Sequence, residues 1–223
     1  MGHRLPPGQH LLEFFPRFGV PAFAAWAPAE AAVELVVSRE GGESRTLRRA
    51  ELERLPRRTL QADFHCVTTW TYPDVHWEGW ALRDVYQAFI APCAGSCLEF
   101  RGGDGYRGSL LLEDALADEV LLADRMNGAP LTVEHGAPLR LVAPALYGYK
   151  NVKHLRSIEL RTHYRAGLAE RQTRAHPRGR VALEERGRGL PGWVYRYLYR
   201  ASFRPTLWRY RRVERAGKSL PDP

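Results

Sequence analysis

Asp63-Phe64-His65-Cys66-Val67-Thr68-Thr69-Trp70 is the stretch on which the reading of this chain turns. Two later stretches stand behind it, Glu134-His135-Gly136-Ala137-Pro138-Leu139-Arg140-Leu141-Val142 and Tyr147-Gly148-Tyr149-Lys150-Asn151-Val152-Lys153. Cys66 falls at the end of a strand predicted over residues 60–68, where a following loop can present a side chain to a site. A lone cysteine is most often a small buried hydrophobe. As a thiolate it is a nucleophile or a soft metal ligand. The later stretches flank one predicted strand and gather His135, Arg140, Lys150 and Lys153. Such a cluster suits a phosphate, which Arg binds bidentately and Lys meets as a point charge; a solvated basic face has the same composition.

Outward from these stretches the patterning is mixed. Residues 1–30 are rich in Pro, Phe and Gly and read as an extended arm. A strand is expected from Ala32, then a hairpin turn at Gly41-Gly42. A short helix follows over 48–55, with Thr46 as its cap. Residues 70–79, which hold Pro73 and many aromatics, read as a loop, and apolar spacing predicts a helix over 80–90. Strands are expected over 97–100, 139–144 and 154–160, with a short strand and an acidic helix within 109–122 and a polar loop over 147–153. Short strands and short helices without regular alternation indicate an α+β fold with mixed sheets rather than a doubly wound sheet.

The 223 residues are 44% hydrophobic and 26% charged, which excludes a wholly disordered chain. The length suffices for a core without disulfides, and three cysteines cannot all pair within one chain. Free thiols point to a reducing compartment. No stretch approaches the about 18 consecutive apolar residues of a membrane span. The best N-terminal candidate, residues 11–29, is broken by Glu13, Arg17 and prolines, so the expectation is an unprocessed, cytoplasmic protein. The net charge of +8 is unevenly spread. Residues 1–160 hold 17 basic and 20 acidic side chains, whereas residues 161–223 hold 16 and 5. A near-neutral body, residues 1–162, thus carries a basic, aromatic-rich extension, residues 163–223.

The order His65-Cys66-Val67-Thr68 with Trp70, then Trp77-Glu78-Gly79, then His135-Gly136 with Pro138-Leu139-Arg140-Leu141-Val142, then Tyr147-Gly148-Tyr149-Lys150 with Lys153 resembles the sulfite-oxidase-fold molybdopterin oxidoreductases. It is closest to their small "sulfite oxidase-like" branch, related to the catalytic subunit of methionine-sulfoxide reductase, and covers residues 5–162. The resemblance implies a molybdenum–molybdopterin cofactor (Moco). It implies that Cys66 is the catalytic, metal-ligating thiolate and that His135 and Arg140 contact the pterin. Asn151, Val152 and Lys153 align with a loop that holds the cofactor through backbone groups and a lysine, and Lys150 matches the first lysine of the same motif as a further contact. It further implies two-electron oxygen-atom transfer on a small molecule, with a separate electron-transfer partner. Sulfite oxidases carry arginines shortly after the cysteine; here Trp70 and Thr71 stand there. That departure favours a sulfoxide-type or other small substrate over sulfite, although Arg101 and Arg107 could supply charge from another loop.

Other candidates have plain structural readings. Strand alternation turns His65 away from Cys66, Cys93 and Cys97 lack the spacing of a zinc site, and His76, His154 and His163 read as structural or surface residues. In the extension, Arg196, Arg200 and Arg204 would form a helical stripe among Trp and Tyr, bounded by Pro191 and Pro205. Such a segment packs on the body, lies in an anionic membrane interface or docks an acidic partner; nucleic acid is disfavoured because no base-reading motif is present. The alternative to an enzyme is a binding or adaptor protein of the same fold that acts through this Arg-rich tail. A Cys66-nucleophile hydrolase ranks behind both, for want of an orienting group.

Overall fold

The structure is a computed structural model and describes residues 5–20, 32–92 and 94–215, with backbone alone at 214 and 215. Residues 1–4 and 21–30 of the expected arm, residue 31, Cys93 and residues 216–223 of the extension lie outside the described residues. In chain order the elements are β1 (His10–Leu11), β2 (Glu34–Arg39), β3 (Ser44–Arg48), α1 (Arg49–Leu52), β4 (Arg57–His65), β5 (Trp70–Ala81), α2 (Leu82–Phe89), β6 (Cys97–Gly102), β7 (Arg107–Leu111), α3 (Leu112–Ala115), β8 (Leu121–Met126), β9 (Ala129–Pro130), β10 (Arg140–Val142), β11 (Leu155–Arg161), α4 (Leu168–Thr173) and α5 (Gly192–Arg215).

They form two mixed sheets, as the α+β reading expected. One runs β3-β2-β11-β6-β7, the other β1-β5-β8-β10 with β4 beside β5 and β9 beside β8. The larger core lies between the sheets and under α2, where Leu35, Leu47, Leu98, Phe100, Ile158, Trp80, Leu122 and Val85 are sealed from water. A second cluster around Trp77, Val75, Ala123 and Val142 covers the other face of the six-stranded sheet. With both faces buried, β8 opens on a continuous apolar run, Leu121-Leu122-Ala123, instead of alternating.

The largest departure from the sequence reading is residues 70–79, expected as a loop and found as most of the twelve-residue β5. The proline that suggested a loop is absorbed by a bulge. Ala62 pairs with Val75 and Phe64 with Tyr72, so Pro73 and Asp74 together face Asp63 alone. Asp74 takes φ +52° and donates its N–H to the Asp63 carboxylate at 3.0 Å. Pro73 therefore sits where the ladder is already interrupted. Gly79 shows why the Trp77-Glu78-Gly79 run ends in glycine: a Cβ there would lie 2.0 Å from the Leu122 carbonyl oxygen of β8.

Smaller corrections have similar causes. The helix expected over 48–55 is the single turn α1, entered from Arg48 rather than Thr46, because Thr46 is held in the hairpin opposite Val36. The strand expected to 68 ends at His65, and residues 66–69 make the tight turn into β5, with the Thr69 N–H donating to the Cys66 carbonyl at 3.1 Å. In the extension, Pro205 lies inside α5 instead of bounding it. Proline removes one intrahelical hydrogen bond, and packing on both sides of it offsets that loss. Phe203 stacks on Phe18 at 5.7 Å between ring centres, and the Tyr210 hydroxyl donates to the Val20 carbonyl at 3.0 Å.

Candidate functional site

Cys66 occupies the turn of the β4–β5 hairpin, which projects it from the sheet end. Its N–H donates to the Trp70 carbonyl at 2.8 Å, and its own carbonyl accepts from Gln9 Nε2 at 3.1 Å, so the N-terminal arm and the turn hold each other. Thr69 closes the turn at φ +79°, a left-handed conformation that a β-branched residue adopts only under surrounding constraint. The thiol is buried, with Sγ 3.1 Å from Thr68 Oγ1. Burial pushes the Cys66 thiol up; the Thr68 hydroxyl and N–H, and then the Arg186 and Lys153 charges, oppose it.

The thiol opens into a cavity of about 380 Å³ whose walls include Phe64, Trp70, Arg140, Tyr149, Asn151 and Lys153. Arg140 is fully buried on β10. Its guanidinium lies over the Trp77 ring at 4.9 Å and the Phe64 ring at 5.4 Å, and Nη1 donates to the His135 carbonyl at 2.8 Å. Nη2 has no hydrogen-bond partner. Lys153 Nζ donates only to carbonyls, Glu134 at 2.8 Å and Phe18 at 3.2 Å. No carboxylate forms an ion pair with either cation among the described residues. Burial, followed by the neighbouring Arg140 and Arg17, lowers Lys153 to about 7 against the opposing pull of Asp104 and Glu134. Burial also lowers Arg140, although a guanidinium remains charged near neutrality. Two buried cations held by carbonyls alone are stabilised by an anion between them.

The other site residues fall into distinct places. Asn151 lines the cavity and pins its wall: Oδ1 accepts from Ala143 N–H at 2.7 Å while Nδ2 reaches the Tyr147 carbonyl at 3.3 Å. His135 stands behind the wall, its ring 4.8 Å from Phe15 and Nδ1 3.0 Å from Thr132 Oγ1; burial, then Lys153 and Arg140, hold it at about 4 and so neutral. Gly136 takes φ +108° after the short turn Val133–His135, and a Cβ there would press on Lys153 and Arg140 at 3.1 and 3.2 Å. Val152 is a core residue, and only its backbone faces β10, accepting from Leu141 N–H at 2.8 Å. Lys150 points away from the cavity into a closed cluster, with Nζ 2.7 Å from Glu170, 2.8 Å from the Ser109 carbonyl and 2.8 Å from the Tyr164 hydroxyl.

The spare arginines also lie elsewhere. Arg101 pairs with Glu99 at 2.7 Å, Arg107 begins β7, and neither lines the cavity. Arg17 of the arm does, as do Phe15, Phe18 and Val20. His65 meets Thr71, with Nδ1 2.8 Å from its hydroxyl, consistent with the structural reading.

Arg186 was missed by sequence reasoning. Fully buried, it donates to the Val67 carbonyl beside Cys66 at 2.6 Å and to the Pro7 carbonyl at 2.9 Å, and Glu184 balances its charge at 3.1 Å. The one hint was the acidic pair Glu184-Glu185 in an otherwise basic extension. Residues of α4 and α5, among them Gln172, Thr173, Tyr199 and Thr206, complete the cavity walls.

A thiol at a constrained turn, facing a cavity whose two cations form no ion pair among the described residues, has the donor set of a site for an anionic, metal-bearing cofactor. Comparison with known proteins agrees: the chain belongs to the oxidoreductase molybdopterin binding domain family, which matches residues 23–168. It is 38% identical over 122 residues to the uncharacterized oxidoreductase YuiH of Bacillus subtilis, covering 54% of this chain and 61% of that protein. Human mitochondrial sulfite oxidase is 32% identical over 148 residues, covering 54% of this chain and 27% of the enzyme. The catalytic subunit of protein-methionine-sulfoxide reductase from Xanthomonas campestris is 43% identical over 56 residues, 25% of this chain and 17% of that subunit. The chain thus spans less than two thirds of these relatives. The fold is shared with the sulfane dehydrogenase SoxCD of Paracoccus pantotrophus, with a TM-score of 0.54 at 23% identity, over 66% of this chain and 43% of that one. The family's cofactor is molybdopterin. The residues present fit it: the orphaned Arg140 Nη2 and the carbonyl-held Lys153 suit its phosphate, and the Cys66 sulfur suits its metal.

Proposed function

We propose that this protein is a molybdenum-cofactor oxidoreductase acting on a sulfoxide-type or other small neutral substrate rather than on sulfite. The observation that carries the reading is the Cys66 thiol in one cavity with Arg140, whose Nη2 has no partner, and Lys153, which forms no ion pair among the described residues. Bound there, the cofactor supplies two-electron oxygen-atom transfer. The chain's own part is positional. Cys66 offers a sulfur ligand, Arg140 and Lys153 hold phosphate charge, Asn151 fixes the wall, and Trp70 and Phe64 exclude water. Substrate preference rests on Trp70 and Thr71 after the cysteine: Trp70 lines the cavity, Thr71 is occupied with His65 and Gln9, and no cation replaces them there.

Metal analysis tests this first. Protein from a molybdenum-replete host is expected to carry molybdenum and pterin near one per chain, and protein with neither overturns the proposal. An activity panel then decides the substrate, with sulfoxide turnover exceeding sulfite oxidation; the opposite order refutes the preference.

We further propose that electrons pass to or from a separate partner, as the family resemblance implies. The division into a cofactor-binding body over 1–162 and an extension over 163–223, and a cytoplasmic location, remain part of the same proposal, to be checked by limited proteolysis and cell fractionation. No described helix is long and apolar enough to cross a membrane. The outward side of α5 nevertheless supports docking on an anionic lipid surface. Trp193, Tyr197 and Trp208 are each about 60% exposed there beside Arg200, Arg204 and Arg212, and no acidic residue lies between 187 and 213. Sedimentation with phosphatidylserine vesicles should capture the protein and release it at high salt; equal binding to neutral vesicles contradicts an electrostatic contact.

A further inference from the structure

The family match ends at residue 168, yet part of the cavity wall is built after it. Tyr199, Ser202, Thr206 and Tyr210 of α5 all line the cavity. Their spacing of three, four and four places them on one face of the helix. Every one of them bears a hydroxyl, while the opposite face carries the exposed arginines and tryptophans. A random amphipathic helix would turn aliphatic residues inward; this one lines with uncharged, hydroxyl-bearing side chains a cavity whose charges all come from the body and the arm, three of the hydroxyls donating to backbone carbonyls, Tyr199 to Thr173, Ser202 to Tyr199 and Tyr210 to Val20.

The helix runs the length of that cavity. Tyr199 is pinned to α4, its hydroxyl donating to the Thr173 carbonyl at 3.0 Å. At the other end Tyr210 lies under Arg17, 5.8 Å from ring centre to guanidinium, and feels Asp104. Three anchors hold α5 in place: Arg196 on Glu184 at 2.8 and 2.9 Å, Phe203 against Phe18 at 5.7 Å, and the Tyr210 hydroxyl on the Val20 carbonyl at 3.0 Å. Two of these grip arm residues, Phe18 and Val20, that line the cavity themselves. Helix and arm therefore close the cavity together.

Resting on the cofactor reading above, we propose that α5 is the retaining wall of the cofactor site: Ser202 and Thr206 hydrogen-bond the uncharged part of the pterin that the body's cations do not address, and the cofactor leaves only when α5 separates from the arm. The Ser202 hydroxyl donates to the Tyr199 carbonyl at 2.7 Å and so offers an acceptor, while the Thr206 hydroxyl can donate or accept, which suits a heterocycle bearing donors and acceptors on one edge.

The test uses full-length variants of the loaded protein and reads cofactor content and release, not turnover. Molybdenum and pterin per chain are measured after purification, and pterin release is followed by fluorescence after dilution. Ser202→Ala with Thr206→Val is expected to speed release by about three- to tenfold, about 0.6 to 1.4 kcal/mol per hydrogen-bonding wall at RT near 0.59 kcal/mol. Phe203→Ala, which loosens the grip on Phe18, is expected to speed it at least as much. Thr206→Trp, which fills the cavity from the helix side, should leave less than about a fifth of the wild-type cofactor content while the apo unfolding midpoint stays unchanged. The exposed Leu198→Ala serves as the control and should release at the wild-type rate. Wild-type content in Thr206→Trp, or unchanged release in the Ser202/Thr206 pair, overturns the retaining wall while leaving the cofactor reading intact. A wild-type protein without molybdenum or pterin overturns both.

Discussion

Lys150 and Lys153 are three residues apart in one loop, and the structure sends them to opposite kinds of place. Lys150 is buried against Glu170 at 2.7 Å with the Tyr164 hydroxyl and the Ser109 carbonyl completing its donors. Burial lowers its pKa and Glu170 raises it again. Lys153 is only partly buried, at the cavity wall, and its ammonium donates to carbonyls, with Arg140 and Arg17 adding repulsion that Asp104 and Glu134 partly offset. A buried charge with its counter-charge in place ties α4 to the sheet. A buried charge without one is a cost the fold carries until an anion arrives. Position in a motif does not distinguish the two; the partner does.

Breaking the satisfied side of that comparison should have the largest effect. Lys150→Met leaves Glu170 buried and unpaired and is expected to destabilise the protein by about 3–5 kcal/mol in denaturant unfolding, whereas Lys150→Met with Glu170→Leu recovers most of the loss. On the unsatisfied side the pattern should invert. Arg140→Leu or Lys153→Met is expected to cut molybdenum and pterin content by about 10- to 100-fold, the range typical for groups supporting a metal site. The apo protein should meanwhile unfold at the same or a higher temperature. A large loss of apo stability in Lys153→Met would erase the distinction.

The pH dependence of the apo protein sharpens the same contrast. Lys153 is held at about 7 against an unfolded value near 10.5, so between these values the unfolded chain binds more protons and stability rises with pH. That stability is full above about 10.5 and is lost as pH falls to about 7, and Lys153→Met should flatten the slope in thermal unfolding from pH 7 to 10. His135 and His154, both held near 4 by burial, predict a second loss as pH falls from about 6.5 toward 4. The smallest effect belongs to Thr68→Val. Removing the hydroxyl 3.1 Å from Sγ costs about 1 kcal/mol and should raise the apparent thiol pKa by less than about one unit, read from the pH profile of alkylation in the apo protein.

Local pattern announced much of the fold. The β2–β3 hairpin at Gly41-Gly42, α2 with its apolar face, β6, β10 and β11 lie where periodicity and turn residues place them. Residues 70–79 misled because the bulge that accommodates Pro73 depends on Asp63 of the neighbouring strand. β8 gave no alternation because both of its faces are covered. The site divides in the same way. Cys66, Arg140 and Lys153 stand in short motifs, and the structure brings all three to one cavity. Lys150, of the same motif and also expected at the cofactor, is drawn away by Glu170 beside it. Arg186 acts across 119 residues of chain, a separation over which spacing carries no information.

The amino-acid sequence alone determined the α+β class, the family resemblance, the thiol and its cations as a set, and the uneven charge of body and extension. These follow from residue types and short spacings, which survive any rearrangement of distant elements. Tertiary structure alone decided which lysine meets a counter-ion and which lines the cavity, that Arg186 braces the cysteine turn, and that a basic extension turns a row of hydroxyls inward to close the site. Each of those depends on contacts between segments far apart in the chain, where burial and the identity of the neighbour, not the residue itself, set the energy of a charge.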